Sequence, residues 1–417
     1  MQRLRDTGRA GARSSRTLAA AVTVSLAVAA LWPGHHQATA STDGSVESWC
    51  QSGSTVAALN RMFDGDPAGI VGADYQRTLA LPDGRVLWTF QDPLVKTPSD
   101  DIVNLHNAAV VQDGTCFEFL RSGTAENPRP WLLPELTDPR QTWFWPMAST
   151  LSADERTVHV FLAEMRERSD EGYLVETEPL RVVVMNLDAS TLAVTGGPFV
   201  PSWGTPGPAD RTLYGWSAEA AGTHTFLLGH CHRQFGYDPF FGDTFIHDSA
   251  CTSEVRLARV PRGDVFAPLE YWTGASWSPN RFAAAALLPT ARGTITNPSQ
   301  LQYVNGRWMA ATKIDDWWGD RIVIDQADKI TGPWRETGRI TAVPKCAPNG
   351  PADFGCNTYF ASFVDDPSRT ARSPVIVSLS HNLWSGTPSS LYRPTYFTID
   401  PPTVEFALGD RCGLDQC

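Results

Sequence analysis

Residues 75–92, Tyr75-Gln76-Arg77-Thr78-Leu79-Ala80-Leu81-Pro82-Asp83-Gly84-Arg85-Val86-Leu87-Trp88-Thr89-Phe90-Gln91-Asp92, read as one β-hairpin. The runs 78–81 and 86–90 are aliphatic, β-branched and aromatic, and they flank Pro82-Asp83-Gly84-Arg85. An Asp-Gly pair supplies the positive φ angles that a tight turn between antiparallel strands needs. Working outward, few stretches after residue 70 carry a helical period, whereas short apolar runs bounded by turn residues recur. They lie at 108–112, 116–120, 158–165, 181–187, 223–228, 255–260, 301–303, 307–313, 321–326, 359–364 and 375–379. Strand-turn-strand groups thus repeat about every 65 residues. Five of them fit between Gly72 and Asp400.

This pattern predicts an all-β chain folded as a five-bladed β-propeller, in which radial blades around a channel leave few exposed edges. A β-sandwich with an appended domain is the structural alternative. The Pro/Gly-rich stretch 196–210 is expected to join two blades. Ahead of the strands, 54–63 reads as a short helix with Val56, Leu59, Met62 and Phe63 on one face. The expected organisation is a signal peptide over 1–40, an N-terminal segment with a short helix over 41–70, and the propeller over 71–417.

Composition agrees with this fold and excludes others. With 33 Gly, 31 Pro and only 19% charged residues in 417, turns are abundant, which argues against a helical bundle or coiled coil. A net charge of -11 argues against nucleic-acid binding as the main task, which needs a basic stripe. Arg3, Arg5, Arg9, Arg13 and Arg16 precede the apolar run from Leu18 to Trp32, and Ala38-Thr39-Ala40 follows it. The apolar run is shorter than the roughly 20 residues that span a bilayer. It reads as an export signal cleaved after Ala40, so the protein is expected outside the cell, with no membrane association afterwards.

All eight cysteines follow that site: Cys50, Cys116, Cys231, Cys251, Cys346, Cys356, Cys412 and Cys417. An even count in an exported chain reads as disulfides. Short loops favour Cys231 with Cys251, Cys346 with Cys356 and Cys412 with Cys417, leaving Cys50 with Cys116 to tie down the N-terminal segment. A zinc site at His230-Cys231-His232 with His247 and Cys251 is the alternative, but its spacing fits no common zinc pattern. No ligand spacing argues for calcium either, so no metal or cofactor is expected.

The candidate chemistry lies at the open end of the first hairpin. If Asp83-Gly84 is a two-residue turn, Tyr75 faces Asp92 and Asp74 faces Pro93, which makes Asp74 and Asp92 diagonal neighbours. Such neighbours lie roughly 5–8 Å apart, a range in which two carboxylates can flank a glycosidic bond. The charge of one would raise the pKa of the other, as a general acid requires. The bland reading is that Asp is common at strand ends. Asp113-Gly114 and Asp154-Glu155 read only as turns. Asp243, in the aromatic loop 240–245, and Asp316, Trp317 and Trp318, between two strands, suit a sugar-binding cleft, because sugar C–H faces stack on rings while hydroxyls bond to carboxylates. His381, ending the strand 375–379, is a further candidate to face the channel. There is no Gly-x-Ser-x-Gly elbow, Walker loop, His-Glu-x-x-His or dinucleotide fingerprint, which disfavours acyl transfer and nucleotide chemistry.

Gly72-Ala73-Asp74-Tyr75 and the segment from Asp83 to Asp92 resemble the first blade of a bacterial five-bladed propeller family long described as a domain of unknown function. That family includes the endo-D-arabinanases, which cut the D-arabinan of mycobacterial arabinogalactan and lipoarabinomannan. Later segments match in order: Trp145-Pro146-Met147, the stretch from Ala258 to Asp264 leading to Tyr271-Trp272-Thr273-Gly274, Asn305-Gly306-Arg307-Trp308, Gly332-Pro333-Trp334, and Ser378-Leu379-Ser380-His381-Asn382. More distantly, such motifs are similar to those of arabinanase, levansucrase and invertase-like propellers.

The resemblance implies a glycoside hydrolase acting on an arabinan, with Asp74 and Asp92 as its catalytic pair. The protein is expected to be secreted and monomeric, and Asp243, Asp316, Trp317, Trp318 and His381 are expected to line the cleft. Ala73, Tyr75-Gln76 and Gln91 depart from the family's Thr, Leu-Gly and Gly. Those departures favour the alternative of a polysaccharide-binding propeller without turnover, while retention of both carboxylates favours the enzyme. A protein-docking module is a third reading, and it would need a broad exposed apolar face.

Overall fold

The structure is a computed structural model, and it describes residues 48–64, 69–120, 122–134, 142–168, 176–231, 235–238, 242–245, 254–289, 298–314, 321–341, 356–383 and 392–401. The chain forms a five-bladed β-propeller, each blade a separate antiparallel sheet entered at its innermost strand and left at its outer edge. The inner strands are Ile70–Ala80, Thr142–Leu151, Thr212–Ala221, Gln300–Val304 and Cys356–Val364. Each touches its two neighbours, so the ring closes. Among the described residues no helix is long and apolar enough to cross a membrane.

Alternation along the strands builds the core. In Thr157–Arg168, Val158, Val160 and Leu162 pack toward blade 1, while Phe161, Ala163 and Met165 pack toward blade 3. Strand Glu176–Asp188 repeats this, with Val183, Met185 and Leu187 on one side and Val182 and Val184 on the other. Successive side chains point to opposite faces of a sheet, so a blade between two others must be apolar on both. One hydrophobic cluster fills each of the five gaps between neighbouring blades. Each fully buried large side chain contributes about 1.5–3 kcal/mol.

Blades 1 and 5 are held together by the N-terminal segment. Strand Ser48–Cys50 adds to the outer edge of blade 1 and carries the expected Cys50–Cys116 disulfide. The helix Thr55–Leu59 is capped by Ser54, and Leu59, Met62 and Phe63 are buried where blade 1 meets blade 5, with Val56 partly buried against them. The Asn60 side chain donates to Tyr396 O (2.8 Å) and accepts from Tyr396 N (3.0 Å), extending the last described strand, Thr395–Ile399.

The first hairpin differs from expectation in its turn. Ala80 pairs with Val86, and Leu81 N donates to Arg85 O, so the loop is longer than Asp83-Gly84. Pro82 presets the second position of the turn, and Gly84, at φ +92°, takes the left-handed residue that follows it. The stretch 196–210 does lead from blade 2 to blade 3, its first residues forming the end of the outer strand Val194–Phe199. Cys231 is disulfide-bonded, which removes the thiolate that a zinc site there would need. Cys251, Cys346, Cys412 and Cys417 lie outside the described residues.

Candidate active site

Asp74 lies on the inner strand of blade 1, opposite Gln91, which places it beside Asp92. The shifted turn moves this register from the expected Asp74 and Pro93 pairing, and irregularities at 72–74 and 74–77 bring the carboxylates to one place nevertheless. Bulges of this kind bend a strand and re-aim its side chains. Tyr75 (φ 45°), Asp92 (φ 40°) and Phe360 (φ 46°) are all in the left-handed region. Among the described residues the other non-glycine positions with positive φ, Asp100, Glu155, Leu192 and Asn305, lie in connections between strands. Backbone strain on strands is thus concentrated around Asp74, a distribution typical of functional sites.

Side chains from blade 5 hold this irregular backbone. Tyr75 N donates to Ser380 Oγ (3.0 Å), Ser380 Oγ donates to Gln76 Oε1 (2.7 Å), and Gln76 Nε2 donates to Ser378 Oγ (2.8 Å). The alternation of Ser378 and Ser380 therefore clamps the bulged Tyr75-Gln76. From blade 2, Pro146 O accepts from Arg77 Nη1 (2.9 Å) and Gln91 Nε2 (2.7 Å). Arg77 is buried 4.5 Å over the Phe360 ring, and burial pulls its pKa down to about 9, which leaves it cationic at neutral pH.

The two carboxylates sit in contrasting surroundings. Asp74 is only 5% exposed. Burial first, and then the charge of Asp92, hold its pKa well above the usual carboxylate range, while the hydroxyls of Tyr359 and Tyr392 and the Arg77 guanidinium pull the other way. Tyr359 Oη donates to Asp74 Oδ2. Asp92 is 27% exposed and is met by donors: Trp145 Nε1 donates to Oδ1 at 3.0 Å, and His106 Nδ1 lies 3.4 Å from the same oxygen. The His106 ring stacks on Trp143 at 4.6 Å.

One buried acid that favours its proton beside a more exposed, donor-bound carboxylate can carry general acid–base chemistry. Sequence reasoning missed Tyr359, Tyr392, His106 and Trp143. Trp145-Pro146 was visible only as a motif, without a role.

The expected cleft residues fare differently. His381 is fully buried on strand Val375–Leu383, paired with Thr358 beside Tyr359, its Nε2 2.8 Å from Thr395 Oγ1. Its neighbour along the strand, Ser380, is the residue that pairs with Tyr359. Asp243 pairs with Tyr237 in a two-stranded ribbon separate from the five sheets. Asp316, Trp317 and Trp318 lie outside the described residues. Among the described residues no group of three or more His, Cys, Asp or Glu is placed to hold a metal ion.

A family model described as a domain of unknown function, DUF5005, matches residues 59–400. No curated protein matches the sequence. Among solved structures, a protein from Bacteroides ovatus provisionally described as a hydrolase is similar at TM-score 0.59 and 14% identity, covering 85% of this chain and 93% of that one. A GH43_1 enzyme from Xanthomonas citri solved with xylose is similar at TM-score 0.43 and 12% identity, covering 83% and 92%. The α-L-arabinofuranosidase of Podospora anserina solved with cellotriose is similar at TM-score 0.43 and 10% identity, covering 81% and 94%. At 14% identity the likeness to the Bacteroides ovatus protein is one of fold.

Proposed function

The chain belongs to the DUF5005 family, and we propose that it is an exported glycoside hydrolase cleaving furanosidic linkages of a cell-wall arabinan, in the manner of an endo-D-arabinanase. The observation that carries this reading is the Asp74 and Asp92 pair, in which burial and the neighbouring charge of Asp92 raise the proton affinity of Asp74. Asp74, buried and inclined to keep its proton, is the general acid that protonates the leaving oxygen. Asp92, held by N–H donors, is the ionised partner that supports the oxocarbenium-like transition state as nucleophile or base. Tyr359 and Tyr392 receive the charge left on Asp74 once its proton has moved, because their hydroxyls bond best to the carboxylate form.

Asp243, Asp316, Trp317, Trp318 and His381 stay assigned to the cleft in this proposal. The polysaccharide is the partner, the protein acts as a monomer, and the chemistry asks for no cofactor. The binding-only reading is weaker, because a lectin site gains nothing from a buried carboxyl whose proton affinity is raised beside a second one.

The substrate is tested by incubating the mature protein with purified arabinogalactan, L-arabinan, xylan and galactan and following oligosaccharide release by chromatography. Fragments from arabinogalactan alone are expected. Fragments from xylan or galactan only would overturn the arabinan assignment, and retention of a polymer without cleavage would favour the binding propeller.

A further inference from the structure

We infer that His106 is a positioning residue for Asp92: it anchors one carboxylate oxygen so that the other is the oxygen presented to the sugar. This rests on the reading of Asp92 as a reacting group. The backbone on both sides of His106 is pinned to residues flanking Asp92. Leu105 N donates to Pro93 O at 2.9 Å, and Asn107 pairs with Gln91 in the sheet. His106 is thereby placed opposite Asp92, and Asp92 takes the left-handed conformation at φ 40° as it turns toward it.

The ring plane is fixed as well. His106 lies over Trp143 at 4.6 Å with 20° between the planes, and Trp143 meets Trp145 edge-on at 5.8 Å. Two ring nitrogens from this aromatic row converge on one atom. Trp145 Nε1 is 3.0 Å and His106 Nδ1 3.4 Å from Asp92 Oδ1, whereas Oδ2 accepts from no group among the described residues.

A carboxylate with both oxygens solvated rotates freely about its terminal bond, and only part of its orientations point a lone pair at a sugar carbon or a water. Anchoring Oδ1 removes that freedom before substrate arrives and leaves Oδ2 for the chemistry. The 3.4 Å contact is long for a hydrogen bond, as catalytic contacts often are before the substrate closes the site. The arrangement requires neutral His106 to carry its proton on Nδ1.

Three variants separate anchoring from simple stacking. Asparagine places its amide nitrogen where Nδ1 was, glutamine places it where Nε2 was, and alanine removes both. On the cleaved arabinan, His106→Ala and His106→Gln are expected to lower kcat about 10- to 100-fold with KM changed less than about threefold. His106→Asn is expected to stay within about threefold of wild type. Equal losses in all three, or a change in KM alone, would overturn the anchoring role. The second arm needs no turnover: nitrogen NMR of the folded protein reads the neutral tautomer of His106, with and without Asp92→Ala. The Nδ1–H form is expected to dominate in wild type and to fall at least severalfold in the variant. An unchanged tautomer refutes the contact itself, whereas absence of any glycan cleavage by wild type refutes only the enzymatic reading.

Discussion

Replacing Glu219 by glutamine should make the protein more stable, and only where Glu219 is otherwise forced to ionise. Glu219 stands on the inner strand of blade 3 and lines an axial cavity of about 200 Å³ with Thr78, Gln302, Asp365 and Arg262. Burial, and then the charge of Asp365, push its pKa up to about 8, against a backbone hydrogen bond from Tyr303 and the more distant Arg262. The folded pKa is above the unfolded one, so stability is fully present below about pH 4.5 and is lost as pH rises toward 8. At about 1.4 kcal/mol for each pH unit, the full difference would cost about 5 kcal/mol at alkaline pH. Glu219 is only half-buried and faces a cavity large enough for water, which relieves part of the cost, so we take ~2 kcal/mol. Urea unfolding of wild type and Glu219→Gln at pH 4.5 and pH 8.5 reads it directly. The variant should be more stable by ~2 kcal/mol at the higher pH and no more stable at the lower. An equal difference at both pH values would refute the reasoning.

Tyr359→Phe removes a donor that favours ionised Asp74, so Asp74 should hold its proton to still higher pH. The alkaline limb of kcat/KM should move upward, with a loss of about tenfold at neutral pH; a limb moving downward would contradict the assignment of the acid. Cys50→Ser with Cys116→Ser opens a cross-link with a sequence separation of 66 residues. The chain-entropy relation puts the loss at about 4 kcal/mol, visible in urea midpoints under oxidising conditions. Gly306, at φ +79° with no atom within 4 Å of a built Cβ, has only its backbone conformation to lose. Gly306→Ala should therefore cost about 1 kcal/mol, and a larger loss would point to a contact the structure does not show.

The hairpin and the nearness of the two aspartates were legible because they are local: a Pro-Asp-Gly turn between apolar runs fixes which residues lie near one another whatever the rest of the chain does. The turn is one residue longer than expected because Pro82 and Gly84 act together, and the two carboxylates remain neighbours through the bulges at 72–77. The inner strands Thr142–Leu151 and Thr212–Ala221 were not read as strands. They face the channel as sheet edges, where Pro146 is tolerated without a ladder N–H, and Gly215 and Trp216 sit where the pairing register shifts between Tyr214 and Ser217.

What surrounds the carboxylates was hidden for a different reason. Tyr359 and Tyr392 both come from blade 5, about three hundred residues from Asp74 (a separation of 285 for Tyr359), and Trp145 from blade 2. Only ring closure brings them together, and no periodicity within one segment encodes it. Ser378 and Ser380 were visible as a motif, but their task, holding Tyr75-Gln76, appears only when blades 1 and 5 meet.

The central claim is tested most directly by the rate of oligosaccharide release from purified arabinogalactan by wild type, Asp74→Asn and Asp92→Asn, each shown to be folded by circular dichroism. The account predicts release by wild type and a loss of about 1000-fold or more in both variants, because neither carboxylate can do the other's part. Release that survives in either folded variant would contradict the assignment of Asp74 and Asp92 as the reacting pair.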